Sequence, residues 1–366
     1  MNTENHSFQI NKLNIQNFKS IKNLSIEPKR VNVFIGEPAS GKSNIIEAIS
    51  LLSKRTVPIK DMIRMREYND LIYNKDDELE VKVEVNDASF VMKYVNGNYK
   101  VTVNDSITNT EYQHLSSDIK FFSKLNKEVP QLIKDFDEKF GEIQNLISEN
   151  GYLDYRIDKQ DRYDFTEKYF RKNIYFYKFK FQNEFSSLVT DSLNAPFGEN
   201  LPQVIITKGS LRQTIKEIFK NFNFTLSFNT KENTIKIFQN LDSLVTELPF
   251  INLSDSLQRL VFYVTAMHTK ESILLFEEPE SHVFPFYNKY FGERIGLDEE
   301  NQYFIATHNF PFLCSIMQKT NPKDLQVYII YSEDNQTKVS PIEESKFSDV
   351  YDMEDSFFLN LDRFKK

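Results

Sequence analysis

Apolar and charged residues alternate one for one between positions 79 and 85: Leu79, Val81, Val83 and Val85 against Glu80, Lys82 and Glu84. A period of two predicts a strand buried on one face. Phe90, Met92 and Tyr94 continue the alternation. After Asn96-Gly97 it returns through Tyr99, Val101 and Val103, which predicts a hairpin. Upstream, Leu13, Ile15 and Phe18, then Ile21, Leu24 and Ile26, predict two short strands around a turn. Val31-Asn32-Val33-Phe34-Ile35 is nearly all apolar and predicts a strand covered on both faces. Positions 44–53 then switch to helical spacing through Ile45, Ile46, Ala48, Ile49 and Leu52. A strand is predicted at 174–177 and a helix at about 209–220. A second hairpin runs through Phe222, Phe224, Leu226 and Phe228, turns over 230–233 and returns at Ile235 and Ile237. From 250 onward helical stretches alternate with apolar strands at 272–276, 303–307 and 325–331. That alternation predicts a parallel sheet covered by helices.

Residues 105–170 break these patterns. They are charged, poor in glycine and rich in helix formers, notably over 129–134 and 140–147. The expectation is a helical insertion without a heptad run long enough for a coiled-coil arm. The chain then divides into 1–104, an insertion over 105–172, and 173–366.

Composition narrows the class. The 366 residues allow one large domain or two, and 40% apolar with 27% charged residues is ordinary for a globular protein. The single cysteine, Cys314, excludes an internal disulfide and a cysteine-based zinc site. No apolar run is long enough to span a bilayer, and the polar start is unlike a signal peptide, so a cytoplasmic location is expected. The net charge of −8 argues against a surface that coats nucleic acid uniformly. The charge is uneven, however. Residues 1–60 carry nine Lys/Arg against four Asp/Glu, and residues 271–366 carry nine against 18. A basic patch on the N-terminal part could track a phosphate backbone; a solvated mixed surface is the plainer reading.

Only nine glycines occur in the chain, and two of them frame Gly36-Glu37-Pro38-Ala39-Ser40-Gly41-Lys42-Ser43. This fits G-x-x-x-x-G-K-[ST], the phosphate-binding loop of nucleotide triphosphatases, placed between a predicted strand and a predicted helix. Backbone N–H groups in such a loop curl around a β-phosphate, and glycine permits the close approach. Lys42 would bridge the β- and γ-phosphates and Ser43 would place its hydroxyl on Mg²⁺, with Asn44 opening the helix whose N-terminus attracts the phosphates. Pro38 lacks a donor, but it falls at the apex of the loop.

Two further strand ends carry chemistry. The strand at 272–276 runs into Glu277-Glu278-Pro279-Glu280, and carboxylates there would lie beside the phosphate loop. Glu277 is placed to hold Mg²⁺, directly or through water, and Glu278 to polarise the attacking water. The strand at 303–307 ends in His308-Asn309, and His308 could sense the γ-phosphate. Between the second hairpin and the acidic strand, Leu253-Ser254-Asp255-Ser256-Leu257-Gln258-Arg259 opens a helix, with Ser254 a candidate N-cap.

Taken together, the order G-E-P-A-S-G-K-S, L-S-D-S-L-Q-R, I-L-L-F-E-E-P-E and A-T-H-N resembles the phosphate loop, signature, acidic strand and switch histidine of ABC-type ATPase heads. The start L-N-I-Q-N-F-K-S-I-K-N-L and the run E-E-P-E-S-H-V-F-P resemble the soluble branch of structural-maintenance-of-chromosomes heads, RecF-like repair ATPases and OLD-type defence ATPases. The resemblance covers 8–54 and about 200–310. It implies an α/β P-loop NTPase core with an antiparallel β lobe, using ATP and Mg²⁺. Two copies would close face to face on two ATP molecules, with Ser254, Asp255 and Ser256 of one copy meeting the γ-phosphate held by Lys42 of the other, and higher assemblies are compatible with it. Glu278 would activate water and His308 would steady the transferred phosphate. Three positions depart from the pattern: Ser256 stands where glycine is usual, Glu277 where aspartate is commoner, and Pro38 lies inside the loop. Gln182 is the candidate for the glutamine loop.

OLD-type proteins carry a C-terminal nuclease, and with 58 residues after His308 in this sequence none is expected here. A separate effector, a nuclease or toxin controlled in anti-phage defence, is therefore the expected partner. The alternatives are a DNA-binding repair ATPase and a nucleotide-sensing scaffold with little hydrolysis.

Overall fold

The computed structural model describes residues 8–54, 57, 59–105, 108–115, 118–124, 145–147, 152–155, 173–182, 184–186, 190–220, 222–229, 234–241 and 244–365. An antiparallel lobe comes first in the chain. Its strands are β1 (Leu13–Phe18), β2 (Ile21–Ile26), β4 (Val81–Val85), β5 (Ala88–Val95) and β6 (Asn98–Asp105), with β1 pairing both β2 and β4. Val81, Val83 and Val85 are fully buried, as their alternation predicts. β5 and β6 form the hairpin at Asn96-Gly97, where both turn residues have positive φ.

The helical insertion needs correction. Among the described residues of 105–172, the backbone forms β7 (Thr108–Leu115), β8 (Asp118–Lys124), β9 (Asn145–Ile147) and β10 (Tyr152–Tyr155). These extend the lobe to a nine-stranded sheet in the order β2-β1-β4-β5-β6-β7-β8-β10-β9. The helix expected over 129–134 lies outside the described residues. Of the one expected over 140–147, only 145–147 are described, and they are a strand. The free edge of β6 offers a row of unpaired N–H and C=O groups, and the chain that follows pairs with it despite lacking apolar alternation. Helix propensity is a weak prior against such a template.

The second sheet has six strands in the order β11-β15-β16-β3-β17-β18. They are β3 (Val31–Gly36), β11 (Ile174–Tyr177), β15 (Ile273–Glu277), β16 (Gln302–Thr307), β17 (Leu325–Glu333) and β18 (Gln336–Pro341). All pairings are parallel except β17 with β18. Both faces are covered, which is why these strands read as continuous apolar runs. Val33, Leu274, Phe276 and Ile305 face one core, beneath the helices α5 (Asp255–Ala266), α6 (Pro285–Leu297) and α7 (Phe310–Lys319). Phe34, Leu275, Phe304 and Ile330 face the other, under α1 (Lys42–Ser50) and the antiparallel lobe. Phe34 stacks between Phe304 and Tyr328 there.

A third sheet of three strands, β12 (Phe224–Asn229), β13 (Thr234–Leu241) and β14 (Leu244–Pro249), contains the second predicted hairpin plus a strand the pattern does not announce. The turn expected over 230–233 lies outside the described residues. The short helices are α2 (Ile59–Met62), α3 (Leu201–Thr207), α4 (Gly209–Lys220) and α8 (Phe347–Met353). Among the described residues no helix is long and apolar enough to cross a membrane.

Candidate nucleotide site

Strand register assembles the site. β16 lies between β15 and β3, and Glu277 aligns with Ala306, which in turn aligns with Phe34. The carboxyl ends of all three strands therefore open at one edge. Neighbouring strands are spaced by about 4.8 Å, so the acidic strand lies roughly 10 Å from the strand that launches the phosphate loop. Residues nearly 240 positions apart meet for this reason, at the edge where open α/β sheets bind ligands.

In the phosphate loop, Ser40 N donates to Glu37 O at 3.3 Å, with Pro38 and Ala39 exposed at the apex of the turn. Ala39 and Gly41 have φ of 60° and 102°. A Cβ on Gly41 would meet Thr337 Oγ1 at 2.0 Å, and one on Gly36 would meet Ile330 O at 2.0 Å. Both glycines are thus required by packing against β17 and β18 as well as by approach to a phosphate. Thr337 Oγ1 donates to Ser40 O at 3.2 Å and lies 2.6 Å from Ser20 Oγ; Ser20 Oγ also accepts from Asn44 Nδ2 at 2.7 Å. The first β-turn, the loop and the last hairpin are thereby tied together. Lys42 Nζ donates to Gly36 O at 2.9 Å and Glu37 O at 2.7 Å. Burial lowers the Lys42 pKa, with the charges of Glu278 and Glu37 opposing. Ser43 is half-buried at the start of α1.

Opposite the loop, Glu278 adopts φ 44°, an uncommon conformation for a non-glycine residue. Its backbone is pinned there by Glu278 N donating to Ala306 O at 2.8 Å. His308 Nδ1 sits 3.0 Å from Glu278 Oε1, and the ring nitrogen is assigned as donor because a carboxylate can only accept. Both side chains are about half exposed. The arrangement holds a carboxylate oriented by an imidazole and open to water.

Glu277 belongs to a network that sequence reasoning missed. Arg64 Nη2 donates to Glu277 Oε1 at 2.8 Å, and Arg64 Nε donates to Glu47 Oε1 at 3.0 Å. Glu47, on α1, is fully buried and also pairs with Lys19 from the first β-turn. Burial works to lower the Arg64 pKa, but Glu277 and Glu47 outweigh it and raise the value. Burial lowers the Lys19 pKa against the opposing effect of Glu47. A polar Glu47 within an otherwise apolar helix face was the available signal, since such a residue needs partners. Among the described residues no cluster of three or more acidic, histidine or cysteine side chains could cage a metal. A hydroxyl at Ser43 and one carboxylate at Glu277 fit Mg²⁺, which keeps waters and takes few protein ligands beside phosphates.

The signature segment stands apart from the loop. Ser254 occupies the N-cap of α5 and is exposed, yet its side chain makes no capping bond; only its carbonyl accepts, from Leu257 N and Gln258 N. Asp255 pairs with Arg259 at 2.9 Å and faces His282 at 3.9 Å. Ser256 Oγ accepts from Phe284 N at 2.8 Å. The hydroxyl of the departing residue therefore ties the signature to the segment that follows the acidic strand. Gln182 follows β11, and its amide donates to Phe197 O rather than joining these groups.

Comparison with known proteins bears on the fold. Residues 8–86 match a family described as a protein of unknown function (DUF2813). Over 93 residues the chain is 36% identical to the DNA replication and repair protein RecF of Clostridium tetani, covering 24% of this chain and 25% of that protein. It is 32% identical to the same-named protein of Streptococcus suis, covering 23% and 26%. The chain thus matches about a quarter of the length of these relatives. An SMC head, solved bound to the C-winged helix domain of ScpA, superposes with a TM-score of 0.51 at 16% identity, over 93% of this chain and 99% of that one. The chain has the fold of an SMC head.

Proposed function

We propose that this head binds ATP with Mg²⁺ and hydrolyses it, and that two copies close on two nucleotides to act as a switch on a partner. The observation that carries the reading is the shared edge of β3, β15 and β16, which sets the phosphate loop beside a Glu278–His308 pair at 3.0 Å. Lys42 and the loop N–H groups hold the β- and γ-phosphates, and Ser43 and Glu277 hold the metal, which neutralises the phosphates when bound. Glu278 accepts a proton from the attacking water, while His308 keeps that carboxylate aimed. Ser254 and Asp255, exposed or half-buried and bonded away from their own phosphate loop, are suited to the γ-phosphate of a second copy. The test is the solution mass of Glu278→Gln by light scattering, with and without Mg²⁺-ATP. An ATP-dependent doubling is expected; an unchanged monomer would refute the closed pair.

A second reading is favoured by one observation, the match to RecF confined to 93 residues. In it the switch acts on DNA through the basic N-terminal part. Binding would require ATP and fall steeply with salt. Absence of DNA binding at low salt with ATP present would remove it. The same match directs the partner search to DNA and repair proteins before defence effectors.

A further inference from the structure

Glu280 lies in the turn after β15 and is almost wholly buried, at 3% exposure. It touches neither the phosphate loop nor the candidate metal ligands by any hydrogen bond described. Its Oε1 accepts from Thr307 Oγ1, at the end of β16. Thr307 Oγ1 in turn accepts from Asn309 N at 3.0 Å. Asn309 Oδ1 accepts from Phe312 N at 2.8 Å and so caps α7. Through Thr307, one carboxyl group is thus tied to the residues on either side of position 308. Its second oxygen, Oε2, is buried with no partner among the described residues. A buried carboxyl left half-satisfied is costly, so its retention calls for a functional reason.

We propose that Glu280 is a positioning residue that sets His308, and through His308 the carboxylate of Glu278, for activation of water. The proposal rests on the hydrolytic reading above. Glu280 holds Thr307, whose hydroxyl also accepts from Asn309 N, so the backbone is tied on both sides of His308, and the imidazole of His308 is held to Glu278 at 3.0 Å. The 278–281 turn closes the circuit through Ser281 N donating to Glu278 O at 3.0 Å and Ser281 Oγ donating to Glu278 Oε2 at 3.3 Å. Glu280 therefore fixes the segment that carries His308, while the adjoining Ser281 in the same turn fixes Glu278. Burial raises the Glu280 pKa to about 7, with Thr307 opposing and Glu278 adding to the rise; Tyr263 of α5 is the other titratable group that senses its charge. Displacement of a reacting group by about 1 Å can cost roughly a hundredfold in rate, and this is the effect Glu280 prevents.

The experiment compares wild type with Glu280→Ala, Glu280→Gln, Thr307→Val and Thr307→Ser in the full chain. It measures steady-state phosphate release and binding of a fluorescent ATP analogue. Glu280→Ala and Thr307→Val should each lower kcat by roughly ten- to a hundredfold while analogue affinity stays within about twofold. Glu280→Gln and Thr307→Ser keep an acceptor or a hydroxyl and should restore most of kcat. In parallel, ¹⁵N-histidine NMR, with His308 assigned through His308→Gln, should show the Nδ1 signal moved in Glu280→Ala and Thr307→Val and unmoved in the conservative variants. The NMR arm needs no turnover, so a wild type without ATPase activity would sink the hydrolytic reading while the NMR still decides the coupling. If Glu280→Ala does not fold, Thr307→Val decides. Unchanged kcat with an unmoved His308 signal, or affinity lost in step with kcat, would overturn the proposal.

Discussion

Replacing Gly41 by alanine tests why the phosphate loop has its shape. Two costs can be read from the structure. At φ 102° an L-residue is strained, which costs about 1–3 kcal/mol. The new Cβ would also meet Thr337 Oγ1 at 2.0 Å, Cγ2 at 2.9 Å and Cβ at 3.0 Å, an overpacking of about 1–3 kcal/mol. Gly41→Ala alone should therefore destabilise by about 2–6 kcal/mol, the sum of the two ranges. Thr337→Ala alone loses bonds to Ser20 and Ser40, about 1–2 kcal/mol. In the double variant the worst contacts are gone and only the 3.0 Å approach of the two Cβ atoms persists, so most of the steric cost should go while the φ strain stays. Urea denaturation of the four proteins gives the cycle, and a favourable coupling of about 1–3 kcal/mol is expected. A cost below about 1 kcal/mol for Gly41→Ala, or strict additivity with Thr337→Ala, would refute the argument. ATP binding, measured in the same proteins, should stay weak in the double variant, because its loop still departs from the geometry that phosphate requires.

Glu47→Ala should leave Lys19 half-buried without its carboxylate and cost about 3 kcal/mol, read by urea denaturation; a loss near zero would show that the network does not hold the site. Ser256→Gly removes the bond to Phe284 N and should cost about 1 kcal/mol of stability while raising ATP-dependent dimer formation, read by light scattering; weaker dimerisation would mean that the hydroxyl serves the interface. Glu280 gives a pH signature. Its pKa rises to about 7 on folding, so between its unfolded value and pH 7 the folded state binds more protons and stability from this group falls as pH rises. The difference amounts to about 3 kcal/mol at pH 8 relative to pH 4. Glu280→Gln should therefore gain stability on wild type across that window, measured by thermal denaturation, and parallel pH profiles would contradict the assignment.

The glycine-framed loop, the acidic strand end and the histidine that ends the next strand were legible because each is local. Gly36 to Ser43 announces itself by spacing, and Glu277-Glu278 and His308 each end an apolar run. The alternation from Leu79 to Val103 likewise carried its own strands, since a half-buried strand writes its period into the chain. What the sequence could not show depended on partners distant along it. The strands over 108–124 pair onto the open edge of β6, although their own residues lack the apolar alternation that announces a strand. Arg64 reaches Glu277 across 213 positions, Thr337 meets Gly41 across 296, and Ser256 caps Phe284 on another element. By itself the sequence named the candidate side chains for phosphate and metal. Tertiary structure alone decided that β15, β16 and β3 lie side by side in register. It also decided that a buried Glu280 stands behind His308, because pairing between strands and burial of charge are set by neighbours in space rather than along the chain.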